Sequence, residues 1–584
     1  LSGIHFRWNV AGCPQRLPYP TRAVASGMVR DVDALEGMVP RPKNASLGSL
    51  HVDLSGCRVQ GEPATARANV ALRRVLGSPS GDGAAVGVAV RLGGGLPAEG
   101  YALSVDRSGV VVVGADPAGA FYGVQTLLAL VGSCAEHRLC VPEVRVRDWP
   151  DLALRGTIEG FYGTPWSHAD RLGHLRFSGR RKLNTYVYAP KDDPFHRERW
   201  REPYPSEELV RLAELVEEAA AQHVRFVFAL SPGLSMVYSD AVERVALRAK
   251  AEQVWEVGVR DYALLFDDIP FELAHRPDVE AFGAGAGACA VAHAAVCRDF
   301  AETFLAVRGA ERPLTMVPTA YAGNGPSAYR DRLAAELPQD VLVWWTGSDV
   351  VVGTITADDV VEAAASFGHR LALWDNFPVN DFDFSRVFLG PLVGRDTALG
   401  GLPLEGITAN PMVQATASRL GLATVADYAW NLAAYDPARS HANAVRLVPG
   451  AVELLPLVEA CSSWPPGADQ SPRLSRLCLA VLDGGDAEEL RVELGRLAAL
   501  PVDVPGPLAR ELAPWVLAAR DMGAAGLAAL DLLSGSGVEV GGVVAALVRA
   551  EGHQANVLRS VIPLFVRRLL ERMGHGDVLP GPAA

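Results

Sequence analysis

The sequence predicts an α/β protein built on a (β/α)8 (TIM) barrel, preceded by a small α/β domain and followed by a helical bundle. Three observations carry this prediction. From about residue 152 an apolar, strand-like run recurs roughly every 25 to 50 residues, each followed by a helical stretch. Eight such units occupy about 270 residues, which is the arithmetic of a closed barrel. After about residue 435 the strand-like runs stop, and Ala, Leu, Arg and Val recur at helical spacing to the end.

The elements follow in order. Within residues 1–148, Tyr101-Ala-Leu-Ser-Val105 and Val110-Val-Val-Val113 read as a hairpin turning near Arg107-Ser-Gly109, and Pro117–Val131 reads as an amphipathic helix. The barrel, placed at 149–433, has its strands at Leu154–Phe161, Leu183–Tyr188, Arg225–Leu230, Tyr262–Phe266, Leu314–Val317, Val341–Trp345, Leu371–Trp374 and Gly406–Thr408. Its seventh helix is the weakest signal, and Gln414–Leu432 is its last helix. Residues 434–584 read as helices broken at Trp464-Pro-Pro-Gly467 and Pro501–Pro507, with Trp464 and Trp515 expected in the core.

Composition narrows the function classes. A net charge of −13 and a pI near 5.5 argue against nucleic acid or an anionic membrane as the main partner. No apolar run reaches the ~18 residues that suggest a membrane span. The chain starts at Leu1 without a basic-then-apolar leader, so a native start or signal is expected to be missing from it. Eight cysteines in a chain this long do not read as a disulfide framework. Cys289 and Cys297 lie about 12 Å apart along a helix, too far to bridge. Cys134, His137 and Cys140 lack a fourth ligand for a zinc knuckle. Only four of the 54 basic residues are lysines (Lys43, Lys182, Lys191 and Lys250), so a retained lysine marks a place where a compact ammonium is useful.

In a (β/α)8 barrel the site lies at the C-terminal ends of the strands. Here those ends carry Gly160-Phe-Tyr-Gly163, Pro190-Lys-Asp-Asp193, Asp267-Asp268, Tyr321, Thr346, Asp375-Asn376 and Asn410. The pair Asp267-Asp268 closes the apolar run Tyr262–Phe266. Two adjacent carboxylates at the end of a buried strand drive their proton affinities apart, so one stays charged while the other holds its proton. That division suits acid-base work on a glycosidic bond. A helix cap or solvated turn is the plainer alternative for an isolated Asp-Asp. Asp192, Asp193 and His196 suggest a metal site less strongly than they suggest a solvated loop.

The blocks Arg155-Gly-Thr-Ile-Glu-Gly-Phe-Tyr-Gly-Thr-Pro-Trp166, Leu183-Asn-Thr-Tyr-Val-Tyr-Ala-Pro-Lys-Asp-Asp193 and Trp200-Arg-Glu-Pro-Tyr204 together resemble glycoside hydrolase family 84, the family of bacterial β-N-acetylglucosaminidases and O-GlcNAcases. The resemblance continues in order through Phe266-Asp-Asp-Ile269, Trp345-Thr-Gly347, Trp374-Asp-Asn376, Val379-Asn-Asp381, Gly390-Pro391 and Ala409-Asn-Pro-Met412. It implies a retaining exo-β-N-acetylglucosaminidase acting through an oxazoline, with the sugar's acetamido oxygen as nucleophile. It further implies that Asp267 holds the acetamido N–H and that Asp268 is the general acid and then the base. On that reading an ionised Asp267 raises the proton affinity of Asp268. The resemblance places the Gly160 backbone and Lys191 on hydroxyls of the terminal sugar, Tyr321 and Thr346 in the acetamido pocket, and Trp374 as its aromatic wall. Asn376, Asp381 and Asn410 would bind the remaining hydroxyls. The implied partner is an N-acetylglucosamine-containing glycan or glycoconjugate, and neither a metal nor another cofactor is implied. One departure is Thr319-Ala320-Tyr321, where the family often has Glu before the tyrosine, which is expected to loosen the placement of Tyr321.

Three rival readings remain. An endo-acting hyaluronidase-type hydrolase is the alternative the resemblance itself implies, since that label has been attached to relatives. A GlcNAc-binding relative with reduced catalysis would have little reason to keep two costly aspartates. A metal-dependent glycosyltransferase would call for Asp-x-Asp on a nucleotide-binding fold, and no Gly-rich phosphate loop follows a strand here.

Overall fold

The structure is a computed structural model that describes residues 32–77, 86–133 and 138–579. It divides into two compact units, one containing residues 44–147 and the other residues 37–43 and 148–584.

The first unit, which also takes in Val32–Glu36, is a mixed seven-stranded sheet with three α-helices among the described residues. The expected hairpin is present, Tyr101–Asp106 pairing antiparallel with Gly109–Gly114. The helix Pro117–Leu130 starts at Asp116, whose carboxylate accepts the Gly119 N–H at 2.8 Å. It is not amphipathic as expected, since residues 119–127 are all buried. The helix packs against both a strand and the helix Ala66–Leu76, so it has no wide solvent face.

The second unit holds the barrel. Its strands are β1 Leu154–Glu159, β2 Thr185–Tyr188, β3 Arg225–Leu230, β4 Asp261–Leu265, β5 Thr315–Val317, β6 Leu342–Trp345, β7 Leu371–Asp375 and β8 Leu404–Ala409. All neighbours are parallel and in chain order, and β8 closes on β1. Strands covered on both faces read as continuous apolar runs, which is why the sequence shows most of them plainly. Inside the barrel the small side chains Ala189, Ala229, Ala263 and Ala372 leave room for the indoles of Trp344 and Trp374. The second of these closes the floor beneath the C-terminal strand ends.

The weak seventh helix is absent: between β7 and β8 the chain forms only a short 3₁₀ turn, Thr397–Leu399. This connection is anchored instead by Arg395, which donates two hydrogen bonds to Asp375 at 2.8 and 2.7 Å, both groups being almost wholly buried.

The helical region contains seven helices among the described residues, the longest running Pro507–Leu533. Trp464 and Trp515 are buried in it, as expected. Trp464 packs edge-on against Phe377 and Phe388, and Trp515 donates its indole N–H to Ser385 O at 2.7 Å. The helical region thus braces the β7–β8 connection.

Cys289 and Cys297 are free thiols, as are Cys57, Cys461 and Cys478, whereas Cys140 is disulfide-bonded. Cys134 and His137 lie outside the described residues. No single described helix is long and apolar enough to cross a membrane.

Candidate active site

The loops at the C-terminal ends of the strands surround a cavity of about 210 Å³, room for a single sugar ring. Gly160, Lys191, Asp267, Asp268, Tyr321, Thr346, Trp374, Asn376, Asp381 and Asn410 all line it. The ten residues singled out in the sequence therefore meet at one place.

Alternation along an extended strand would send Asp267 and Asp268 to opposite faces. Asp268 avoids this with a φ of +54°, the left-handed region that aspartate tolerates better than most residues. The kink turns both carboxylates into the cavity. Asp267 is 4% exposed, and its Oδ2 forms an ion pair with the Lys191 ammonium. Its Oδ1 is buried and accepts no hydrogen bond within the protein.

Asp268 is held differently. Its Oδ1 accepts the Tyr321 hydroxyl at 2.8 Å and its Oδ2 the Tyr162 hydroxyl at 2.7 Å. Arg197 in turn donates to the Tyr162 oxygen at 2.8 Å. Burial alone would raise the Asp268 carboxyl, but the Lys191 ammonium, the two hydroxyls and Arg197 outweigh it and hold the group below its ordinary value. The net direction is therefore opposite to the rise expected from Asp267, because Lys191, paired with Asp267, also acts on Asp268.

The remaining side chains form one network. Asn376 Oδ1 accepts from Trp374 Nε1 and from Asn410 Nδ2, each at 2.9 Å, while Asn376 Nδ2 donates to Val350 O at 2.8 Å. Asn410 Oδ1 accepts the Gly160 N–H at 3.3 Å. A Cβ on Gly160 would collide with the Trp374 indole, so only glycine lets the β1 end lie against that ring. Asp381 Oδ2 accepts the Tyr162 N–H at 2.9 Å, and burial raises its carboxyl despite that bond. Thr346 is buried, with its hydroxyl on Asp349 O at 3.0 Å. Ala320 was expected to loosen Tyr321. The turn that carries Tyr321 is instead held by Arg330, whose guanidinium donates to the carbonyls of Ala320, Ala322, Gly323 and Gly325.

Other polar residues at the strand ends serve the fold. Asp375 faces Arg395 rather than the cavity. Glu159 is fully buried and accepts two hydrogen bonds from Arg171, at 2.9 and 2.7 Å. Asp193 is buried, not solvated, and accepts the hydroxyls of Tyr188 and Tyr204 at 2.8 Å each. His196 is buried as well, and burial lowers its pKa to about 4. Asp192, Asp193 and His196 therefore form no metal site. Among the described residues no cluster of three or more His, Cys, Asp or Glu is placed to hold an ion.

Sequence reasoning did not single out Tyr162, Arg197, Val350 or Phe382. Tyr162 lay within a recognised block, and its aromatic position after the β1 end was the available signal. Arg197 reaches it from 35 residues away, which no local pattern reveals.

A family model described as beta-N-acetylglucosaminidase matches residues 155–458, and one described as glycosyl hydrolase family 20, domain 2, matches residues 35–149. The chain is 35% identical over 282 residues to protein O-GlcNAcase of Rattus norvegicus and, equally, of Mus musculus, covering 47% of this chain. The match spans only 30% of the length of those curated relatives. Among solved structures, CpGH84B superposes with a TM-score of 0.81 at 27% identity, covering 91% of this chain and 99% of that one. An O-GlcNAc hydrolase mutant from Thermobaculum terrenum superposes with a TM-score of 0.65 at 29% identity, covering 74% of this chain and 99% of that one.

Proposed function

Because the chain belongs to the β-N-acetylglucosaminidase family of glycoside hydrolases, family 84, we propose that it is a retaining exo-β-N-acetylglucosaminidase working by substrate assistance. Its substrate on this reading is a glycan or glycoconjugate ending in β-linked N-acetylglucosamine. We assign the reaction to residues 149–433, with 1–148 and 434–584 as flanking domains. The observation that carries the proposal is the unequal state of the two aspartates: Asp267 has one buried oxygen with no protein donor, while Asp268 is surrounded by donors.

The chemistry follows from that inequality. A buried carboxylate oxygen without a partner is costly, and an amide N–H is the neutral donor that satisfies it. An acetamido group bound there has its N–H on Asp267 Oδ1, while the Lys191 ammonium is paired with Oδ2 of the same carboxylate. Electron density moves toward the acetamido oxygen, which attacks the anomeric carbon as the bond to the leaving oxygen breaks; the amide proton passes to Asp267 Oδ1 to give the oxazoline and returns to nitrogen when water opens the ring. Asp268 donates its proton to that oxygen, then takes one from the water that opens the ring. For this Asp268 must first gain a proton. The Tyr321 hydroxyl, transferred from Asp268 to the acetamido carbonyl, would leave the carboxylate with one donor fewer and a higher proton affinity. Gly160, Lys191, Thr346, Trp374, Asn376, Asp381 and Asn410 hold the ring. A cavity with room for one ring favours terminal over internal cleavage.

The test is a series of aryl N-acetyl-β-glucosaminides with zero to three fluorines on the acetyl methyl. Each fluorine weakens the attacking oxygen, so the rate should fall steeply, with the β configuration kept in the first product seen by NMR. A flat series, or a covalent glycosyl-enzyme trapped by a slow fluorosugar, would sink the mechanism.

A further inference from the structure

Beside the sugar cavity lies a larger one, of about 680 Å³, and the two share Asp268, Tyr321 and Val350. The wall away from the sugar is built from Ile269, Phe271, Ala286, Ala320, Ala322 and Tyr329. Phe271 is 42% exposed and stands edge-on to Tyr329, with the ring centres 5.7 Å apart.

Most polar groups around this space are already committed. The Arg330 guanidinium is spent on four carbonyls of its own turn, as described above. Thr319 donates its hydroxyl to Phe266 O at 2.8 Å, and the Tyr329 hydroxyl is bound to His293 Nδ1 at 2.7 Å. Ser327 Oγ accepts the Arg330 N–H at 3.2 Å as a helix cap. Among the described lining side chains, the polar groups left to the space are Asp268, the Tyr321 hydroxyl bound to it and the O–H of the exposed Ser327 at the rim.

We propose that this cavity is the leaving-group subsite and that it selects a neutral, apolar aglycone, alkyl or aryl, over a second sugar. The inference rests on the glycosidase reading, because Asp268 can protonate only an oxygen that sits between the two cavities. What is attached to that oxygen then enters the larger one. A second sugar would bring several hydroxyls to a mainly apolar wall whose side chains offer one free hydroxyl, that of Ser327 at the rim, and each hydroxyl buried without a partner costs roughly tenfold in binding. An alkyl or aryl group instead gains about threefold per buried methylene. Ala320 matters here: its methyl leaves the wall uncharged where a carboxylate side chain would repel an apolar group.

The experiment compares methyl, butyl and hexyl N-acetyl-β-glucosaminides with N,N′-diacetylchitobiose on the full chain. The three alkyl alcohols have similar acidity, so differences among them report binding rather than proton demand. We expect kcat/KM to rise about threefold per methylene from methyl to hexyl, with chitobiose no better than the methyl glycoside. Phe271→Ala should flatten the alkyl series while leaving methyl glycoside turnover within about twofold of wild type. A flat wild-type series, or chitobiose exceeding the hexyl glycoside, would overturn the subsite while leaving the glycosidase reading intact. No turnover of any of the four would overturn both.

Discussion

At the scale of single residues, the site depends on a backbone angle. The sequence shows two aspartates after an apolar run, but not that the second adopts a φ of +54°. Without that kink the two carboxylates would point to opposite faces. The prediction belongs to this angle. Asp268→Asn removes the proposed proton donor and keeps a residue that tolerates the left-handed region, so activity on an alkyl glycoside should fall roughly 10²- to 10⁴-fold with little loss of stability. Asp268→Ala should lose as much activity and also about 1–2 kcal/mol of stability in urea, since alanine carries the full steric cost. Equal stability of the two variants would show that the kink is unstrained. Lysine scarcity was a sound guide to placement. Lys191 pairs with Asp267, Lys182 with Asp148 at 3.3 Å and Lys43 with Asp151 at 3.1 Å, and Lys250 donates to the Glu202 carbonyl. It did not separate the site lysine from the structural ones, because burial and pairing serve both purposes.

At the scale of elements, β2 to β7 were legible because each is buried on both faces and reads as an apolar run, whereas β1 and β8 carry Arg155, Glu159 and Glu405 and were placed by the regular spacing of the units. The polar ends of the strands were less legible. Asp375 and Asp193 stood among the polar residues at the strand ends that suggested a site, yet one faces Arg395 and the other two tyrosine hydroxyls. For Asp375 the two-residue period carried the answer: Trp374 points into the barrel, so its neighbour points out. The missing seventh helix explains why that outward carboxylate exists. Arg395, from the long β7–β8 connection, reaches back to the strand end and fixes the connection that carries Asn376 and Asp381. Replacing Arg395 with Met leaves Asp375 charged, buried and unpaired, which should destabilise the protein by about 3–5 kcal/mol in urea unfolding. The KM for a simple glycoside should rise with it, because Asn376 and Asp381, the two residues of this connection proposed to hold the ring, lose their anchor. A variant of wild-type stability would mean that the connection is held by its other contacts.

At the scale of the whole molecule, the helical region completes the barrel unit rather than hanging from it. The last barrel helix, Ala415–Trp430, has no side-chain cap of its own. Glu511, nearly a hundred residues on, accepts the N–H of Thr416 at 2.9 Å and that of Ala417 at 2.9 Å. A carboxylate at that end satisfies two orphan donors and faces the positive pole of the helix. Nothing in the sequence near 415 indicates this, because the cap comes from a different helix. The same region grips the β7–β8 connection, where Ser385 O accepts from both Trp515 Nε1 and the Asn556 N–H. Barrel and helical region therefore share buried hydrogen bonds that neither could satisfy alone, and they should unfold together. Glu511→Ala is the sharpest probe. It deletes one acceptor and leaves two buried N–H groups without a partner, at a cost of about 1–3 kcal/mol. Calorimetry should show the transition that carries the barrel moving down as a whole, without splitting. Tryptophan fluorescence from Trp515 and loss of sugar binding should follow the same midpoint. If Glu511→Ala instead released an early transition of the helices while the barrel kept its wild-type midpoint, the two would be separate folding units and the brace would be incidental.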